Sequence, residues 1–149
     1  MLEHYREILL EMEASIHRLT KYILPQVSQL SQIQLTKKQE TILFLMLRDP
    51  EITMKKMAEY LNVSKSAVTQ MVDKLEEQDL IKRQLNPDNR REWKLIFGEK
   101  GVKIKTELEK FEKKVLEDYF TKIPLEDLQH VVKTMHAFEE VIQSSTADS

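Results

Sequence analysis

The sequence has no cysteine and only two glycines and four prolines in 149 residues. Without thiols there can be no disulfide frame, thiolate zinc site, iron–sulfur cluster or thiol redox switch, and nothing points to an oxidising compartment. The two glycines are Gly98 and Gly101, so neither a Gly-x-Gly-x-x-Gly fingerprint nor a P-loop can be written, and nucleotide enzymes of those two types are excluded. Apolar runs are short: the longest, residues 42–47, has six members, against the roughly 20 that a bilayer span needs. The N-terminal stretch carries Glu3, Glu7, Glu11 and Glu13 where a signal peptide would have a basic flank and an apolar core. A soluble, cytoplasmic protein is expected. At this length one domain with a real core is the default.

What is present reads as helix nearly throughout. Tyr5, Ile8, Met12, Ile16, Leu19 and Ile23 fall at gaps of three and four, one stripe of a long helix interrupted near Pro25. Thr36 with Gln39 three residues on is a capping-box pattern before the apolar block Ile42, Leu43, Leu45 and Met46, and that helix should stop before Pro50. A short helix is expected from Thr53 to Leu61, broken by Asn62-Val63-Ser64. Asn tolerates a left-handed turn and Ser64 is a natural N-cap for the next helix. That helix keeps Ala67, Val68, Met71, Val72 and Leu75 inward and Lys65, Ser66, Thr69, Gln70, Asp73 and Lys74 toward solvent.

Between Leu80 and Phe97 the period changes to two. Ile81 and Leu85 lie before the turn-rich Asn86-Pro87-Asp88-Asn89-Arg90-Arg91, and Trp93, Leu95 and Phe97 after it, which predicts a small antiparallel hairpin. Helical spacing resumes as Ile104, Leu108, Phe111, Val115 and Tyr119, ends near Pro124, and restarts as Leu125, Leu128, Val132, Met135, Phe138 and Ile142. The expected organisation is one domain over 1–143 with a winged-helix core at about 36–100. It holds a helix-turn-helix at 53–78, a wing at 81–97 and flanking dimerisation helices at 1–30 and 99–143, followed by a frayed polar tail at 144–149. The fold class is mainly α (α+β), a winged helix-turn-helix with a two-stranded β-wing and N- and C-terminal dimerisation helices.

This order of elements resembles the MarR-type winged-helix transcriptional regulators. The resemblance runs from about Leu35 to Gly101. Residues 57–69 are similar to the family's helix-turn-helix, and Val72-Asp73-Lys74-Leu75-Glu76 to the end of its recognition helix. Pro87-Asp88-Asn89-Arg90-Arg91 resembles its wing tip, and Phe97-Gly98-Glu99-Lys100-Gly101 stands where the family usually has Leu-Thr-x-x-Gly. Three positions depart from the pattern. Asp79 occupies the place of a glycine after the recognition helix, Asn89 that of a wing aspartate, and Gly98 that of a threonine capping the fifth helix. The resemblance implies a transcriptional regulator, a repressor, working as a homodimer on a palindromic operator.

The residue types suit that role. Base edges demand groups that donate and accept in fixed geometry, whereas phosphates demand cations or N–H and O–H donors. Ser64, Lys65, Ser66, Thr69 and Gln70 stand at the start of the second helix, the part that enters a major groove. Gln70 and Lys65 are the candidates for bases, and Ser66, Thr69 and Lys74 for phosphates or mixed contacts. Arg90 and Arg91 at the hairpin tip suit a narrow minor groove.

The 23 Lys+Arg and 25 Asp+Glu leave a net charge of only −2. By segment the charge is +2 for residues 53–100, −1 for residues 1–52 and −3 for residues 101–149. Such a mild bias predicts weak binding by one copy, so two copies should add their contacts. Tyr5, Leu9, Met12, Phe111, Leu116, Tyr119, Phe120, Val131, Met135 and Phe138 are the apolar residues that a partner's equivalents could cover, in a two-fold dimer whose recognition helices sit about 34 Å apart. A small-molecule effector, if the protein has one, is expected between the dimer helices and the winged domain. Met12, Ile16 and Leu19 with Ile104 and Leu108 are its candidate lining.

His4, His17, His130 and His136 are scattered, and no metal or other cofactor is expected. No His-Glu-x-x-His, nucleophile elbow or catalytic dyad is present, so an enzyme is not expected. The rival reading is a winged-helix protein-interaction module without specific DNA binding.

Overall fold

A computed structural model describes residues 1–28, 35–88 and 93–148. In chain order these form α1 (Leu2–Ser28), α2 (Lys37–Arg48), α3 (Met54–Leu61), α4 (Lys65–Glu77), β1 (Ile81–Leu85), β2 (Trp93–Phe97), α5 (Glu99–Asp118), a short 3-10 turn (Phe120–Lys122) and α6 (Leu125–Ala147). The chain divides into two compact units, Met1–Leu108 and Glu109–Ser149.

Local chemistry explains where most of these elements begin and end. At α2, Thr36 Oγ1 accepts from the Gln39 amide at 3.2 Å while the Thr36 amide donates to Gln39 Oε1 at 3.0 Å, a complete capping box. It accounts for Gln39 being buried despite its polarity, since both ends of the exchange are satisfied. Thr36→Ala should therefore cost about 1 kcal/mol in urea denaturation, and an unchanged midpoint would show that the box contributes nothing. Thr53 caps α3 through the Lys56 amide, and Ser64 caps α4 through the Ala67 amide. Asn62 between them has φ 54°, the left-handed conformation the turn requires.

The core of the first unit is built by three helices and the root of the hairpin. Ile42, Leu43, Leu45 and Met46 from α2, Met54, Met57 and Ala58 from α3, Val68, Val72 and Leu75 from α4, and Leu80, Ile81 and Leu95 from the hairpin form one buried cluster. Leu61, Val63 and Met71 pack against it half-buried. The hairpin pairs Ile81 with Phe97, Arg83 with Leu95 and Leu85 with Trp93. Its inner face is buried at Ile81 and Leu95, whereas Leu85 and Trp93 at the far end are exposed.

The junction from α4 to the hairpin is a Schellman turn. The Asp79 amide donates to the Glu76 carbonyl at 3.0 Å and the Leu80 amide to the Leu75 carbonyl at 2.9 Å, with Asp79 at φ 58°. Asp79 thus adopts the left-handed conformation that glycine most often supplies at this place. Its carbonyl then accepts from the amides of Lys100 and Gly101, so the first turn of α5 is capped by backbone. The missing side-chain cap at Gly98 is made good in this way.

Two helices continue where their sequences predict an interruption or fraying. α1 continues through Pro25 to Ser28. Proline lacks the amide that would donate to the carbonyl four residues back, but it falls in the last turn, where Gln26 Nε2 separately donates to the Tyr22 carbonyl at 2.9 Å. α6 extends to Ala147, so residues 144–147, expected to be a frayed tail, are helical. Ser144, Ser145 and Thr146 hydroxyls donate to carbonyls one turn back, which satisfies these polar side chains within the helix.

Candidate nucleic-acid interface

The turn at Asn62 and the cap at Ser64 set the start of α4, and its apolar stripe is sunk in the core, so the opposite face is held outward. Lys65, Ser66, Gln70, Asp73 and Lys74 are exposed on it and Thr69 is half-buried. Ser66, Gln70 and Asp73 recur at gaps of four and three along the middle of that face, with Lys65 and Lys74 at its two edges. Lys65, Ser66, Gln70 and Lys74 have no side-chain hydrogen bond within the described residues and present their full capacity to solvent.

Two hydroxyls are already engaged. Ser64 Oγ accepts the Ala67 amide at 3.1 Å, which leaves its O–H for a phosphate. Thr69 Oγ1 donates to the Lys65 carbonyl at 3.0 Å. In this rotamer Thr69 can accept from a base edge but has no proton to offer a phosphate, which is acceptor only.

Arg83 of β1 was not among the residues expected at the site. Its Nη1 donates to Glu76 Oε2 at 2.7 Å, and its Nη2 to Asp73 Oδ1 and, at 3.4 Å, to the Thr69 carbonyl. One guanidinium therefore ties the wing to three residues of α4. Burial alone would lower its pKa, yet hydrogen bonding and attraction from Asp73 and Glu76 outweigh that and hold it above the usual arginine value. On the second strand, Lys94 Nζ meets Glu51 Oε1 at 2.9 Å and ties β2 to the connection before α3. Lys55 and Lys56, exposed on the first turn of α3, add positive charge on the helix that in such motifs crosses the DNA backbone.

Asn89, Arg90 and Arg91 lie outside the described residues. Of the candidate effector residues, Met12, Ile16 and Leu19 are exposed on α1, and Ile104 and Leu108 are half-buried on α5. The surface depressions on α6, lined by residues such as Gln129 and Lys133, include none of the five. Among the described residues no three His, Asp or Glu side chains stand close enough to hold a metal ion, and no helix is long and apolar enough to cross a membrane.

Two short helices joined by a tight turn, the second with a polar outer face, and a hairpin braced against that second helix define the winged helix-turn-helix class. Within that class, residues 35–93 match the model of the MarR family, and the chain has the fold of MarR-family transcription regulators. FabT of Streptococcus pneumoniae, solved in complex with DNA, superposes with a TM-score of 0.68, at 18% identity over 94% of this chain and 98% of its own. A MarR-like transcriptional regulator of Thermotoga maritima does so with a TM-score of 0.61, at 23% identity over 87% of this chain and 96% of its own. The adhesin competence repressor of Streptococcus pyogenes gives 0.56, at 26% identity over 87% and 96%. No curated protein matches the sequence.

Proposed function

We propose that the protein is a cytoplasmic, homodimeric transcriptional repressor, not an enzyme, that reads a pseudopalindromic site in double-stranded DNA. The observation that carries this reading is the outer face of α4. Lys65, Ser66, Gln70 and Lys74 are exposed there, without side-chain hydrogen bonds among the described residues, on a helix braced by the hairpin through Arg83. The fold shared with FabT, itself solved with DNA, supports the same reading. In it, Gln70 and Lys65 meet base edges, Ser64, Ser66 and Lys74 meet phosphates or both, Thr69 accepts from a base edge, and Arg90 and Arg91 enter the minor groove.

Homodimerisation is supported by the helices outside the winged core. No residue of α6 is buried, and Leu116, Tyr119, Phe120, Val131, Met135 and Phe138 are all exposed, as are Tyr5, Leu9 and Met12 on α1. Long helices in proteins owe most of their stability to a buried apolar face, and a second copy supplies one. Residues 1–30 and 99–143 are thus the proposed dimerisation segments of a domain spanning 1–143. Met12, Ile16, Leu19, Ile104 and Leu108 are the proposed lining for a small-molecule effector, which would act by preferring one of two dimer geometries.

The test is a salt series on duplex fragments selected from the source genome, because counterion release makes DNA binding weaken steeply with salt. Gln70→Ala should cost about 1–3 kcal/mol on the selected fragment and little on mixed sequence. Lys74→Ala should weaken both alike and reduce the salt slope by about one. Wild-type protein that retains no fragment at low salt would instead favour a protein-interaction module.

A further inference from the structure

The recognition helix is acidic. Between Lys65 and Glu77 it carries two lysines against the three carboxylates Asp73, Glu76 and Glu77, an odd charge for a segment that must approach phosphates. Asp73 follows Gln70 by three residues and so adjoins it on the helix surface. The side chains of Asp73 and Glu76 are 52% and 41% exposed, so neither is hidden by burial, whereas that of Arg83 is only 18% exposed.

We propose that Arg83 is a positioning residue for DNA reading, whose guanidinium masks Asp73 and Glu76 and so lets an acidic helix approach the phosphates. The proposal rests on the reading of α4 as the DNA-binding helix. Each Nη serves one carboxylate, and Nη2 also reaches the Thr69 carbonyl. A planar fork with several fixed donors suits two carboxylates and a carbonyl at once, whereas a lysine ammonium is a compact charge on a flexible stem. The arrangement also places the mask correctly by construction, since β1 leaves α4 through the Schellman turn at Asp79 and returns along it. The same fork that fixes the wing against the helix removes the helix's own repulsion.

The experiment is fluorescence anisotropy of a dye-labelled, mixed-sequence duplex of about 30 base pairs, roughly three helical turns, titrated over a range of salt concentrations. Arg83→Gln should bind at least about tenfold more weakly than wild type at low salt, with the deficit shrinking as salt rises. Adding Asp73→Asn and Glu76→Gln to it should restore most of the affinity, because the charges to be masked are gone. Arg83→Lys should fall between. A deficit that is the same at every salt concentration, or a triple variant as weak as Arg83→Gln, would overturn the mask.

Trp93, the sole tryptophan, lies on β2 two residues from Leu95, the cross-strand partner of Arg83, so its emission and a thermal melt report whether each variant keeps its wing. Should Arg83→Gln fail to fold, Asp73→Asn with Glu76→Gln in the presence of Arg83 decides the matter. The mask requires that variant to bind the duplex more tightly than wild type, and equal or weaker binding refutes it. Wild-type protein that leaves the duplex free at low salt would overturn the DNA reading itself, an outcome distinct from wild-type binding that Arg83→Gln shares.

Discussion

Gly101→Ala is expected to lower stability by about 3 kcal/mol, near the upper end for overpacking a close contact, in urea denaturation followed by circular dichroism. The sign makes it informative. Within a helix, replacing glycine by alanine ordinarily gains close to 1 kcal/mol, and Gly101 lies in the first turn of α5. Here, however, an added Cβ would meet the Leu80 carbonyl oxygen well inside van der Waals contact, with Phe97 Cδ1 at 3.1 Å on another side. The obstacle is backbone, and it is already committed: the Leu80 carbonyl takes the Gly98 amide at 2.9 Å, and the Asp79 carbonyl takes the Lys100 amide at 3.1 Å. For the methyl to fit, α5 must retreat and those bonds must lengthen. Gly98, where a Cβ would meet the Asp79 carbonyl oxygen, is under the same constraint. A Gly101→Ala protein as stable as wild type would refute the close approach.

The features legible in the sequence are those whose physics is local. Thr36 and Gln39 are three residues apart and satisfy each other, and Asn62 and Ser64 carry their conformational preferences with them. The hairpin's period of two predicted which residues share its inner face, and the register agrees. The roles of the two glycines were not legible, because what they avoid is a carbonyl some twenty residues away in the chain. Gly98 reads in the sequence as a lost cap; in the fold it is a point of contact, with Asp79 providing the cap through its backbone. Arg83 escaped for a similar reason. Its partners precede it by seven and ten residues across a turn, and a lone arginine on a strand carries no mark of them. The polar run at 144–146 misled in the opposite direction, since the same hydroxyls that suit a frayed end can bond back within a helix.

Leu80→Ala is expected to cost about 3 kcal/mol in the same measurement, within the range for emptying a fully buried leucine site, whereas Leu85→Ala should stay within about 0.5 kcal/mol of wild type. Both leucines belong to the hairpin region and differ by five positions, so composition and propensity are held constant and burial decides. Leu80 is 0% exposed and Leu85 is 55% exposed. Leu80 also occupies the handover between the recognition helix and the wing: its amide closes the end of α4 on the Leu75 carbonyl, its carbonyl receives Gly98, and its side chain lies in the core cluster with Leu75. The cavity left by its truncation would therefore loosen the seat of α4 and the root of β1 together. Trp93, at the far end of the hairpin, supplies a second readout, since its emission should follow the melting of Leu80→Ala at a lower denaturant concentration and remain unshifted in midpoint for Leu85→Ala. Equal losses for the two variants would mean that the wing is held mainly at its outer end, by side chains the core does not reach.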